Sequence, residues 1–176
     1  MQVKEIIRVT EITPVPKAPP YTVGVLSLRN QLLPIMDLRI LFGQTSLKEE
    51  WGENIAPDKL DAQRIIVVDL DGVLTGILVD SVSQVLILEK KSIEPPPAII
   101  SQGKANRLRD LGKLDNGKRL LMLLNIDHLV SKTDKKKMLA AVGNNQAGEK
   151  KMENTVEKSS EEMQLDCFKV DHEEYT

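Results

Sequence analysis

Two aspartates, Asp69 and Asp71, stand one residue apart behind an apolar run in the stretch VVDLDGVLTG, residues 67–76. At the end of a strand, such a pair can perform phosphoryl transfer. The first carboxylate attacks phosphorus and the second serves as the general acid. That chemistry makes demands on the elements around it. The aspartates must lie at the carboxyl end of a parallel strand, with a helix crossing over to the next strand. Further carboxylates are needed for Mg²⁺, and a later lysine and hydroxyl for the phosphate. The same letters also describe two strands joined at Asp71-Gly72, a dipeptide that favours tight hairpins.

The stretch resembles the nucleophile motif of haloacid-dehalogenase-like phosphatases, but its surroundings favour the hairpin. ILVDSVSQVLIL, residues 77–88, follows at once and leaves no room for a crossover helix. No suitable acidic pair appears downstream. An enzyme built on Asp69 and Asp71 therefore stays only as the alternative reading, with Mg²⁺-dependent phosphate release lost in Asp69→Asn as its signature. Other catalytic material is sparse. The chain has one cysteine, Cys167, and two histidines, His128 and His172. It has no glycine-rich phosphate loop, so no catalytic residue, cofactor or metal is expected.

Composition narrows the class further. With 176 residues, one domain plus a tail is expected. Aromatics make up 3% of a chain that is 41% hydrophobic, so aliphatic side chains must fill the core. A net charge of −2 argues against a nucleic-acid binder. No apolar run reaches the length of a membrane span and no secretory leader is apparent, so a soluble cytoplasmic protein without membrane insertion is expected.

The elements read mostly as short strands. VKEIIRV (residues 3–9) suits a half-buried strand, and four prolines within residues 14–20 then enforce a stiff extended loop. VGVLSLRN and QLLPIMDL meet at Asn30-Gln31. DLRILFG has helical spacing, with Asp37 as N-cap and Gly43 as stop. Residues 44–63 look loop-like, with Trp51 as a local anchor. RIIVVDL, VLTGILV and VSQVLIL give three close strands, and the prolines of SIEPPPAI break the pattern again. RLRDLGKL and KRLLMLLNI flank Asn116-Gly117, which favours a two-residue hairpin turn, and IDHLV closes the region as a short helix. Many short strands separated by turns point to β-barrels or a sandwich. Residues 131–162 are charged and poor in large apolar side chains, a flexible linker with short helical pieces near KKKMLAAV. MQLDCFKVDHEEYT, residues 163–176, is strand-like again.

Taken together, VKEIIRVTEITPVPKAPPYTVGVLSLRNQLLPIMDLRILFG, RIIVVDLDGVLTGILVDSVSQVL, SIEPPPAI and LGKLDNGKRLLMLLNIDHLV resemble, in this order, the CheW-like chemotaxis coupling domain over residues 3–130. The resemblance implies an all-β fold of two small five-stranded SH3-like β-barrel subdomains with short helices. It implies an adaptor, not an enzyme, that couples the cytoplasmic tips of transmembrane chemoreceptors to the regulatory domain of the histidine kinase CheA. A CheW-like regulatory module of a larger signalling protein is the alternative. Arg29 matches the family arginine associated with receptor binding, and Val3, Glu5 and Ile6 match a strand implicated in partner contact. Val25 and Leu28 are candidates to line an apolar groove for a receptor helix. Each has a plain structural counterpart: an arginine bridging two barrels, edge-strand packing, and core burial.

Two departures stand out. Ser27-Leu28-Arg29-Asn30 replaces the usual Asn-Leu-Arg-Gly, although Asn tolerates positive φ. The family's first strand, which normally precedes VKEI, is not found there, whereas residues 163–176 resemble it. The expected organisation is therefore a CheW-like domain at 1–130 lacking its first strand, a linker at 131–162, and a completing strand at 163–176. A flexible linker of 32 residues spans about 30 Å, close to the ~35–40 Å of such a domain. Completion in cis and exchange in a strand-swapped homodimer are both open to it.

Overall fold

Alternation sets the first element. In β1 (Val3–Arg8) every second residue is half-buried and those between are exposed, the pattern of a strand with one face on a core. The computed structural model describes residues 3–98 and 107–142, and the backbone of 162–169. The described chain forms two units, residues 3–83 with 132–142 and 168–169, and residues 84–98 with 107–131 and 162–167.

The first unit contains β1, β2 (Thr22–Leu28), β3 (Gln31–Asp37), β4 (Arg64–Leu70) and β5 (Val73–Val79), hydrogen-bonded in the order β1-β4-β5-β3-β2. All pairs are antiparallel except β3 with β5. Beyond β1 the chain turns back so that Thr13 and Val25 exchange two backbone hydrogen bonds of 2.8 Å. The two edges of the sheet thus meet, and the barrel closes. Closure brings backbone close to Gly24, where a Cβ would lie 2.2 Å from the Thr13 carbonyl oxygen. Leu26, Leu33, Ile35, Ile65, Val67 and Leu78 fill the interior. The other side of β4, with Ile66 and Val68, is buried as well, so this strand reads as a continuous apolar run.

The hairpins follow local chemistry. Leu70 pairs with Val73 across Asp71-Gly72, whose φ values of 55° and 86° define a primed two-residue turn. Leu28 pairs with Gln31, so the β2–β3 turn is Arg29-Asn30, one residue earlier than the expected Asn30-Gln31 junction. Asp37 caps α1 (Leu38–Leu41), accepting from the Arg39 and Ile40 amides at 2.8 and 3.4 Å. Residues 44–63 are not merely loop. They hold α2 (Leu47–Trp51), opened by a Ser46/Glu49 capping box, and α3 (Pro57–Ala62), opened by proline. Trp51 does anchor this stretch, since the Lys59 ammonium lies 4.0 Å from its ring centroid.

In the second unit β7 (Ile93–Glu94), β8 (Leu108–Leu114) and β9 (Arg119–Leu124) form one sheet, and β6 (Ser81–Glu89) pairs with β10 (Glu162–Lys169) in another. Leu88 of β6 is 1% exposed and packs where Gly112 of β8 has no side chain; a Cβ there would meet its Cδ1 at 2.7 Å. The β8–β9 connection corrects the two-residue expectation. Leu114 pairs with Arg119, leaving a four-residue loop in which Asp115, Asn116 and Gly117 all have positive φ.

Of the expected linker, residues 143–161 lie outside the described residues, and a helix stands where helical pieces were expected near KKKMLAAV. Lys132–Val142 is a helix, α4, lying against β3 with Lys135 and Met138 buried. No described helix is long and apolar enough to cross a membrane.

Candidate partner-binding site

The β2–β3 turn places an arginine where the backbone disfavours one. Arg29 and Asn30 adopt φ of 49° and 64°, left-handed values that asparagine accepts readily and arginine does not. The turn carries the Arg29 side chain out of the barrel, where it is 78% exposed. Its Nη2 donates to Glu5 Oε2 at 3.1 Å, linking the turn to β1. An ion pair so exposed contributes about 0–1 kcal/mol. A guanidinium has five donors, and Glu5 takes one, so the group keeps strong capacity for a partner carboxylate or carbonyl. Arg29 and Glu5 both belong to the first unit, so this pair is not a bridge between barrels.

Of the other residues singled out, β1 presents two kinds of surface. Glu5 is half-buried on the face directed at the barrel, Val3 is half-buried beyond a register shift that pairs it with Val68 on the other face, and Ile6 also points away from the barrel and is 40% exposed. Register places Ile6 beside Ile66, then Ile77, then Met36, as the open end of an apolar row across four strands. Leu32, near the turn, is also 37% exposed.

Val25 and Leu28 do not line a common groove along β2. They are three residues apart on a strand and so face opposite sides. Leu28 follows Leu26 onto the core, while Val25 carries the closing bridge to Thr13. For Leu28 the packing reading is the one the geometry favours.

The aspartate pair that suggested phosphoryl transfer has structural employment. Asp69 Oδ1 accepts the Gly72 amide at 2.6 Å, pinning the turn, and Asp71 Oδ2 pairs with Lys135 of α4. β5 returns antiparallel directly after the turn, so the strand–helix crossover that such chemistry requires is replaced by a hairpin. Tyr21 adds a second tie to α4, donating from its hydroxyl to Asp134 at 2.8 Å.

Sequence reasoning missed a buried charge network at the foot of α1. Arg39 is 5% exposed; its Nη1 donates to Asp80 Oδ2 at 2.9 Å, its Nε to the Thr45 carbonyl at 2.8 Å, and its Nη2 to Glu50. Burial raises the Asp37 carboxyl above the usual aspartate range, opposed by the Arg39 and Ile40 amides and reinforced by nearby Asp80. A signal was present: Arg39 interrupts the apolar run LRIL and Asp80 ends the apolar run GILV. Charges set inside apolar runs are buried only when paired.

The CheW-like domain family matches residues 1–134. The chemotaxis protein CheW of Klebsiella aerogenes is 33% identical over 131 residues, covering 74% of this chain and 72% of its own. A probable chemotaxis protein CheW of Rhizobium etli is 32% identical over 134 residues, covering 76% and 79%. Among solved structures, the scaffolding protein TtCheW of Thermoanaerobacter tengcongensis superposes with a TM-score of 0.59 at 27% identity, over 72% of this chain and 78% of that one. The fold is accordingly the all-β, SH3-like architecture that the family resemblance implied. With its closed first barrel, its arginine-bearing turn and a match over most of its length, the chain belongs to the CheW-like family of chemotaxis scaffold proteins.

Proposed function

We propose that this protein is a non-enzymatic cytoplasmic adaptor that couples transmembrane chemoreceptors to the histidine kinase CheA. The observation that carries the reading to particular residues is the exposed guanidinium of Arg29, held on a strained turn and oriented by Glu5. A fold gains little from such an arrangement, because the ion pair is weak and the backbone conformation is costly. A binding surface gains a positioned donor. Ile6 supplies apolar area, and Val3 and Glu5 fix the strand beside it.

The test is parallel binding of receptor cytoplasmic tips and of the kinase regulatory domain to wild type, Arg29→Glu and Arg29→Asn. Arg29→Glu is expected to weaken receptor binding by at least about tenfold, the scale of one charge-assisted hydrogen bond. Kinase binding should stay within about twofold. Arg29→Asn relaxes the turn, so it should match or exceed wild-type stability while still binding receptor poorly. Loss of kinase binding with receptor binding intact would overturn the assignment of Arg29.

A further inference from the structure

We propose that the edge of β6 is a strand-docking site and that its occupant is residues 162–169 of the same molecule. The two units close in different ways. In the first, the sheet edges meet through the Thr13–Val25 bridge, so the barrel is complete within residues 3–83. In the second, among the described residues, β7, β8 and β9 form their own sheet and the strand hydrogen-bonded to β6 is β10.

A strand such as β6 needs that partner. It is nine residues long, with Leu88 packed inward over Gly112 and with Val85 and Ile87 outward at 50% and 63% exposure. An edge of this length, bare and apolar on its open face, would invite pairing with other chains. β10, at eight residues, nearly matches its length. Its sequence EMQLDCFK has the strand period, with Met163, Leu165 and Cys167 at alternate positions between Gln164, Asp166 and Phe168.

Connectivity favours the chain's own strand over that of a second copy. Nineteen residues, 143–161, separate α4 from β10, and a chain of that length can reach up to about 60 Å. The domain is only ~35–40 Å across. A tether of this kind sets a local concentration on the order of millimolar, well above that of a second molecule at micromolar protein.

Hydrogen exchange on the full-length protein tests this. Amides of 84–89 and 162–169 should exchange at least about tenfold slower than unstructured chain, with no change over about a hundredfold range of concentration. Asp166→Pro removes a backbone donor in mid-strand and should release β6 and β10 together, while β4 and β5 keep their protection. As a second measurement, the single native Cys167 can be bridged by a short bis-maleimide to Val85→Cys, Leu86→Cys or Ile87→Cys. At least one variant should cross-link at monomer mass. If Asp166→Pro unfolds the whole chain, the wild-type exchange and the cross-link decide. Coil-like exchange of 162–169 in wild type, β6 protection that survives Asp166→Pro, or cross-links only at dimer mass would overturn the proposal.

Discussion

Arg39 sits between the carboxylates of Asp80 and Glu50 with almost no contact with solvent, and this determines what its neighbours can tolerate. Removing one partner from a buried ion pair typically costs about 3–5 kcal/mol, because the other charge remains stranded. Asp37, close by, is the informative member. Its carboxyl is raised by burial first, so folding favours the protonated form more than the unfolded chain does. The sign follows: this contribution to stability is full below the unfolded pKa and is lost as pH rises through the folded one. Asp37→Asn keeps an acceptor for the Arg39 and Ile40 amides but cannot ionise. It should gain stability relative to wild type as pH rises across the mildly acid range, then hold a constant advantage. Asp37→Ala loses the cap and should cost about 1 kcal/mol. Urea unfolding as a function of pH reads both, and a pH-independent difference between Asn and wild type would refute the raised carboxyl. The cap was legible in DLRILFG because capping is local. The Arg39–Asp80 pair was not, because its partners lie 41 residues apart and only the fold brings them together.

At the scale of elements, the same distinction holds. Asp71-Gly72 declares its own turn, and so do the capping box at Ser46 and the proline opening α3. Asn116-Gly117 signals a hairpin but not its length, since the pairing of Leu114 with Arg119 sets the loop at four residues. A helical piece near KKKMLAAV was legible but its docking was not, because the polar letters of α4 suggest solvent, whereas Lys135 and Asp134 are held by Asp71 and Tyr21. β-Barrels were expected, but the bridge by which this one closes was not legible, although Gly24 marks it. A methyl group at that position would meet the Thr13 backbone, which cannot yield as a flexible side chain can. Gly24→Ala should therefore destabilise the protein by about 1–3 kcal/mol. The amides of Thr13 and Val25 should lose exchange protection while β8 and β9 retain theirs. Unchanged melting with protection intact would mean that the closure accommodates a side chain freely.

For the whole molecule, the open question is what the last residues contribute. Among the described residues the sheet of the first barrel takes no ladder from β10, since Thr13 and Val25 close it. The second unit pairs β6 with β10, so removing 163–176 would strip the hydrogen-bonding partner from a strand whose Val85 and Ile87 already face outward. Native edges of that kind are guarded by charge, proline or a covering strand, and here a strand performs the role. The deletion should leave β1 to β5 folded but lower the melting temperature by at least several degrees. It should also produce concentration-dependent association, visible by size-exclusion chromatography with light scattering. Placing a lysine on the bared edge, Val85→Lys in the deleted chain, should suppress the association without restoring the melting temperature, because it blocks pairing but supplies no ladder. A deleted protein that stays monomeric and melts like wild type would show that β6 needs no partner.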